Sequence, residues 1–306
     1  MAAIEVVHAR VFALDAGGGN PCPVVPAADG LSDGTMLALA RHFGLDTAFV
    51  LRPRAPGADV RLRYFLPERE MGFSGHATIA ALRAWRMDTA DARTLLRFET
   101  ANGVFGASLA ARGADMDATP GGDDVDVTLA TGAPVFGRVL APGDVAAALG
   151  VAPAAVDVSD GPVQIVGAPR AKVLVPLVDH AALDAVAPDF ELLWSLCERW
   201  SATGFYPFTL RPERASSSAD ARQFPYRAGF PEDPATGVAA AALAAYLARH
   251  ERAGRSGTRE YTFLQGRAMG AQSRVTARAV LRGGEVVDTA IAGNAVITGR
   301  ERLEVL

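Results

Sequence analysis

Two adjacent carboxylates, a hydroxyl and a glycine stand together in Glu232-Asp233-Pro234-Ala235-Thr236-Gly237, directly before the apolar run Val238 to Ala248. Asp233 is a natural N-cap and Pro234 a natural first helical residue, so one reading is a capped helix start. The other is a binding site. Free N–H groups in the first turn, here around Thr236 and Gly237, attract a carboxylate. A second segment, Met71-Gly72-Phe73-Ser74-Gly75-His76, also stands before an apolar helix. His76 there is either a helix-start residue paired with backbone or an imidazole available for proton transfer. Ser74 is not a nucleophile elbow, because His76 takes the place of the last glycine in Gly-x-Ser-x-Gly. Asp46, in Gly44-Leu45-Asp46-Thr47-Ala48-Phe49-Val50, falls between a helix and a strand, where an acid usually makes a turn. No phosphate loop or dinucleotide fingerprint is present. The five histidines show no i, i+4 pairing, so no metal is expected.

The elements that would position these groups alternate between strand and helix. Branched residues make Ile4 to Phe12 a strand, and a turn at Gly17 to Pro21 leads into a short strand near Val24-Val25. Ser32 or Asp33 caps a helix running to about His42. Val60 to Leu66 alternates as a half-buried strand, and a helix runs from His76 to about Met87. Further on, strands are expected at Val125 to Leu129, Lys172 to Leu177, Gly204 to Leu210 and near Phe224. Helices are expected at Pro142 to Leu149 and Phe190 to Trp200. Arg211 to Asp220 reads as a polar, Ser-rich loop. Gly113 to Asp124, rich in Gly, Asp and Pro, is the expected domain boundary.

A weak duplication links the two motifs. Arg63-Tyr64-Phe65-Leu66-Pro67 precedes the Ser74-Gly75-His76 helix, and Arg222-Gln223-Phe224-Pro225 precedes the Thr236-Gly237 helix, about 160 residues later. Each helix leads into a strand, Thr94 to Thr100 and Glu260 to Gln265. Two similar halves follow, not a solenoid. The helix of Val238 to Ala248 is apolar all round, and that of Ile79 to Trp85 on most sides. Such helices must be buried on every side, as by a curved sheet wrapped around each. If the halves face each other, both helix N-termini converge on one cleft.

Composition narrows the function. With 306 residues the chain suits two domains. Half the residues are hydrophobic and 21% are charged, which excludes intrinsic disorder. A net charge of −4 argues against nucleic-acid binding. Lys172 is the only lysine, and Cys22 and Cys197 are the only cysteines, so no disulfide framework is expected. The chain opens without a secretory signal pattern, and its longest apolar run is too short to span a bilayer. A soluble, cytoplasmic protein with no membrane or nucleic-acid partner is expected.

Taken in order, these segments resemble the phenazine-biosynthesis PhzF-like family over nearly the whole chain. The matching segments are Gly19-Asn20-Pro21, Leu45-Asp46-Thr47-Ala48-Phe49-Val50, Phe73-Ser74-Gly75-His76-Ala77-Thr78, Glu232 to Gly237, and Gln265-Gly266-Arg267-Ala268-Met269-Gly270. The resemblance implies an α/β (α+β), diaminopimelate epimerase-like fold. It has two pseudo-symmetric domains, each a barrel-like sheet around a central helix, with the active site between them. Here those domains are 1–118, completed by 292–306, and 119–291. It further implies a homodimer and an isomerase that moves a proton within a small carboxylate-bearing substrate, without metal or organic cofactor. Asp46, His76 and Asp233 take the catalytic roles. Asn20, Ser74, Gly75, Thr236 and Gly237 bind substrate. Three positions depart from the family pattern: Asp46 replaces Glu, Leu45 replaces the preceding Ser, and Val238 replaces the Ser after Thr-Gly. Ser74 and the Asp233-Pro234 region stand where the epimerase carries its two thiols, which argues against a two-thiol racemase. The alternative is a small-molecule-binding homologue that kept the cleft and lost efficient turnover.

Overall fold

The computed structural model describes residues 3–15, 17–111, 125–210, 218–251 and 256–304. It divides the chain into two compact units, Met1–Ala130 with Ala292–Leu306, and Thr131–Ile291. The Gly113 to Asp124 stretch lies outside the described residues, as does 211–217 of the polar Ser-rich loop.

The first unit opens with β1 (Ala3–Val11) and β2 (Asn20–Val25), then α1 (Asp33–Phe43), β3 (Thr47–Leu51), β4 (Val60–Phe65) and β5 (Glu70–Met71). It continues through α2 (Gly75–Thr89), β6 (Leu95–Thr100), β7 (Gly103–Ala111) and β8 (Val125–Gly132). The second contains β9 (Val135–Val139), α3 (Pro142–Leu149), β10 (Gln164–Gly167), β11 (Ala171–Pro176), α4 (His180–Asp184) and α5 (Phe190–Trp200). After these come β12 (Gly204–Thr209), β13 (Ala219–Ala221), β14 (Phe224–Pro225), α6 (Gly237–His250), β15 (Gly257–Gln265), β16 (Ser273–Arg282) and β17 (Glu285–Gly293). The last strand, β18 (Ala295–Glu304), returns to the first unit and pairs antiparallel with β1.

Local signals account for several boundaries. The Ser32 hydroxyl accepts from Thr35 N–H and caps α1, and Gly44 ends the helix at φ +64. β2 begins at Asn20, earlier than the turn-forming Gly19-Asn20-Pro21 suggests, because β1 supplies a partner for each residue from Asn20 to Val24. Pro21 and Pro23 alternate along it, so both can turn their N–H-less side away from β1. Ala219 and Asp220, read as loop, belong to β13, where a parallel pairing with β15 captures them.

Each unit wraps strands around one helix. In the first, β18, β1, β2, β3 and β4 pack on α2, and β4 runs parallel to β6 across the helical crossover. From Ala77 to Ala84 every residue of α2 is buried. In the second, β10, β11, β15 and β16 pack on α6, which is buried from Gly237 through Ala248. Its crossover likewise joins parallel strands, β13 and β15. The alanines keep α6 narrow enough for strands on all sides. Ala241→Leu, at a fully buried position, is therefore expected to cost about 1–3 kcal/mol of stability by overpacking. Denaturant titration reads this directly, and an unchanged midpoint would contradict the enclosure.

The duplication extends to side chains. Arg63 binds both carboxylate oxygens of Glu70 at 2.7 Å and lies over Phe65, two residues on. Arg222 binds both oxygens of Glu232 at 2.9 and 2.8 Å and lies over Phe224. In both units a bidentate arginine thus ties the strand before the buried helix to the segment leading into it.

Candidate active site

In the first unit, Asp46, Ser74 and His76 come together. The αL turn at Gly44 ends α1, and β3 starts at Thr47, whose hydroxyl donates to Leu45 O at 3.1 Å. Asp46 is held between these two fixed points. Its Oδ2 lies 3.7 Å from Nε2 of His76, and the two side chains are only 12% and 13% exposed. His76 sits in the first turn of α2, with Nδ1 3.4 Å from the Ser74 hydroxyl. The order Ser74, His76, Asp46 has triad-like membership, but both separations exceed the 2.6–3.2 Å expected of a nucleophile–base hydrogen bond. Thr78 donates to Ser74 O at 2.7 Å and meets the buried Tyr64 hydroxyl at 2.6 Å, which locks the helix start to β4. Ser74 is the N-cap residue, and its side chain makes no capping bond. A helix start without a side-chain cap is the kind of place that attracts an anion. Asn20 is buried at the start of β2.

Buried groups surround this pair. The Cys22 thiol is pushed up first by burial and then by the Asp46 carboxylate, so the acid stands close enough to β2 to be felt there. Burial likewise raises the Tyr64 hydroxyl. Cys22 is thus a buried neighbour of Asp46.

In the second unit the structure corrects the expected cap. Asp233 and Pro234 do not open α6. The helix begins at Gly237, with Thr236 as N-cap residue. Asp233 is instead drawn into an antiparallel bridge, its N–H donating to Gln223 O at 3.0 Å. That pairing keeps Asp233 extended, so the helix starts three residues later than its local sequence suggests. The Asp233 carboxylate accepts the Thr236 hydroxyl. Thr236 provides no side-chain cap to the helix, so Gly237 begins a first turn like that of Gly75. The neighbouring Glu232 is consumed by Arg222, which also donates to the carbonyls of Leu183 and Val186 at 3.1 and 2.9 Å. Of the two adjacent acids, Glu232 is structural and Asp233 addresses the helix start.

These geometries can be set beside known proteins. Residues 9–300 match the family model described as phenazine biosynthesis-like protein. The chain belongs to this phenazine biosynthesis-like family. It is similar to an uncharacterized isomerase, YddE, of Salmonella typhimurium, 32% identical over 96% of both chains. It is also similar to the trans-2,3-dihydro-3-hydroxyanthranilate isomerase of Pseudomonas chlororaphis, 31% identical over 92% of each. A crystal structure of a Bacillus anthracis PhzF-family phenazine biosynthesis protein superposes with a TM-score of 0.89 at 27% identity, covering all of both chains. The fold is diaminopimelate epimerase-like, and the Salmonella and Pseudomonas relatives are named as isomerases.

Within the family motif Gln-Gly-x-x-Met-Gly, Gln265 proves to be the residue that shapes the Asp233 loop. It is 1% exposed. Its Oε1 accepts from Thr236 N–H at 3.3 Å and from the Tyr206 hydroxyl at 3.1 Å. Its Nε2 donates to Asp233 O at 2.5 Å and to the Thr236 hydroxyl at 3.2 Å. One amide therefore uses its full donor and acceptor capacity on the loop and the floor beneath it. The motif marked Gln265 as part of a family segment, but its partners lie about 30 and 60 residues away and no local pattern names them. Gln265→Leu should cost about 1–3 kcal/mol for each buried partner left unmet. Activity should fall with it through loss of the Asp233 geometry. A thermal melt together with steady-state rates checks this.

Proposed function

We propose that the chain is a cofactor-independent, PhzF-like isomerase. It moves a proton within a small carboxylate-bearing substrate, such as a cyclic amino or hydroxy acid. The observation that carries this reading is the Asp46–His76 pair: a carboxylate and an imidazole 3.7 Å apart, nearly enclosed, at a helix start without a side-chain cap. In this reading Asp46 removes and returns the carbon-bound proton. His76 responds to the charge on Asp46 and steers the proton. The start of α2 binds the substrate carboxylate, where the helix dipole favours negative charge. Asp233, tied to Thr236 and Gln265, orients the polar end of the substrate. Exclusion of water around Asp46 keeps the abstracted proton on the carboxyl group long enough to return.

The shorter Asp46, with Leu45 and Val238 beside the two motifs, supports a substrate other than trans-2,3-dihydro-3-hydroxyanthranilate. These three departures also favour the second reading, a binding protein with little turnover. Affinity and turnover measured on the same set of cyclic amino and hydroxy acids separate the two. Turnover of any tightly bound compound supports the isomerase, and micromolar binding with no conversion across the set supports the binding protein.

A further inference from the structure

Between the fork arginine and the phenylalanine of each duplicated segment stands one residue, Tyr64 in the first unit and Gln223 in the second. Phe65 turns into the apolar cluster with Met36, Leu39 and Ala40 of α1, and Phe224 into the cluster with α3 and α5. Neighbouring residues of a strand point to opposite faces. Tyr64 and Gln223 therefore turn the other way, and both are buried. Each holds a segment of the candidate site. The Gln223 carbonyl accepts from Asp233 N–H at 3.0 Å. Tyr64 acts through its side chain.

Tyr64 joins three segments that build the first-unit site. Its backbone pairs with Ala48 of β3, two residues after Asp46, and with Met71 of β5, three residues before Ser74. Its ring meets Phe73 edge-on, with centroids 6.4 Å apart. Its hydroxyl lies 2.6 Å from that of Thr78 in α2. The direction of this bond follows from the next one. Thr78 has a single hydroxyl proton and gives it to Ser74 O at 2.7 Å, so Tyr64 donates to Thr78. Burial raises the phenol further above its ordinary value, which keeps the donor protonated. Ser74 O also accepts Thr78 N–H at 2.9 Å. A trans peptide is planar, with its C=O and N–H on opposite sides. Two bonds on Ser74 O therefore fix the Gly75 N–H, which points the other way, out of the helix start. They fix with it the turn that carries His76.

We propose that Tyr64 is a positioning residue of the site: its hydroxyl, through Thr78, holds the Ser74–Gly75 peptide and the His76 turn in the geometry that receives the substrate carboxylate. This rests on the reading of the α2 start as the carboxylate site given above. The hydroxyls act in series, from Tyr64 to Thr78 to Ser74 O. Removing the first leaves the buried Thr78 oxygen without its donor. It also weakens the grip on Ser74 O, because hydrogen bonds in a chain polarise one another. Positioning and mere folding differ in KM. A variant that only lowers the folded fraction lowers kcat and leaves KM in place. A variant that loosens the carboxylate site raises KM.

Tyr64→Phe keeps the ring and removes the hydroxyl alone. Its effect is read by deuterium exchange into whichever small cyclic amino or hydroxy acid the wild type turns over. KM should rise and kcat/KM fall by about 10- to 10²-fold, the scale of a site displaced by up to about 1 Å. Thr78→Val should do the same, and Thr78→Ser should recover most of that loss. The Tyr64→Phe, Thr78→Val double variant should lose no more than the worse single one. A second readout needs no substrate. Full-length protein labelled with ¹⁵N-histidine gives five backbone amide signals, one for each histidine. That of His76 should move in Tyr64→Phe and in Thr78→Val while the other four stay. The parent KM in Tyr64→Phe, losses that add in the double variant, or an unmoved His76 amide would overturn the proposal. Thr78→Val carries the same test if Tyr64→Phe does not fold. A His76 signal that moves, in a protein that exchanges deuterium into no compound, would leave this inference standing and count against the proposed function instead.

Discussion

Asp46→Asn is expected to lower the rate of proton transfer by about 10²–10⁴-fold, the usual contribution of a positioned acid/base group. The amide keeps the shape and volume of the side chain but cannot accept a proton. Substrate affinity should change much less than turnover, because the start of α2, proposed to hold the carboxylate, is untouched. Thermal stability should also stay close to that of the parent, since an amide fits the space beside His76 that the acid fills. Steady-state kinetics with a melt on the same preparation separates the two effects. Asp46→Glu is the informative companion. It restores the reach of the family's glutamate. If the shorter acid suits a larger substrate, the longer one should impair activity on the native compound. If the shorter acid is a decayed glutamate, the same change should raise activity on trans-2,3-dihydro-3-hydroxyanthranilate.

Gly266→Ala should destabilise the protein by about 3 kcal/mol and take activity down with it. Gly266 sits at φ +84, a conformation that costs an L-residue about 1–2 kcal/mol. A Cβ there would overlap Ala271 O and stand 2.8 Å from Pro234 O. Both neighbours are backbone and cannot swing aside. Relief would have to come from moving the Pro234 segment, which carries Asp233, or the Gln265 amide that holds it. Denaturant unfolding and turnover should therefore fall together. A Gly266→Ala variant with the parent's stability and activity would show that the close approach of the Gln-Gly turn to the Asp-Pro loop is wrong.

What could be read in the sequence was local or repeated. Ser32 and the apolar circumference of α6 each act within one element, so their patterns carry over into the structure unchanged. The duplicated Arg-x-Phe segments were visible as a weak repeat, and the paired Arg63–Glu70 and Arg222–Glu232 forks give that repeat a physical purpose. Asp233 was misplaced as an N-cap because the rule for caps is local, whereas its partner Gln223 comes from another strand. The same limit hid the contacts of Gln265, because its partners Tyr206, Asp233 and Thr236 come from distant parts of the chain.

In the proposed mechanism a carbon–hydrogen bond of the substrate is broken and remade, with Asp46 as the proton carrier. Incubation of the wild-type protein in D₂O with a panel of small cyclic amino and hydroxy acids, followed by NMR, tests it without knowledge of the product. Deuterium should enter at carbon in at least one compound, at a rate that Asp46→Asn lowers by about 10²-fold or more. Exchange that proceeds equally fast in the wild type and in Asp46→Asn would contradict it.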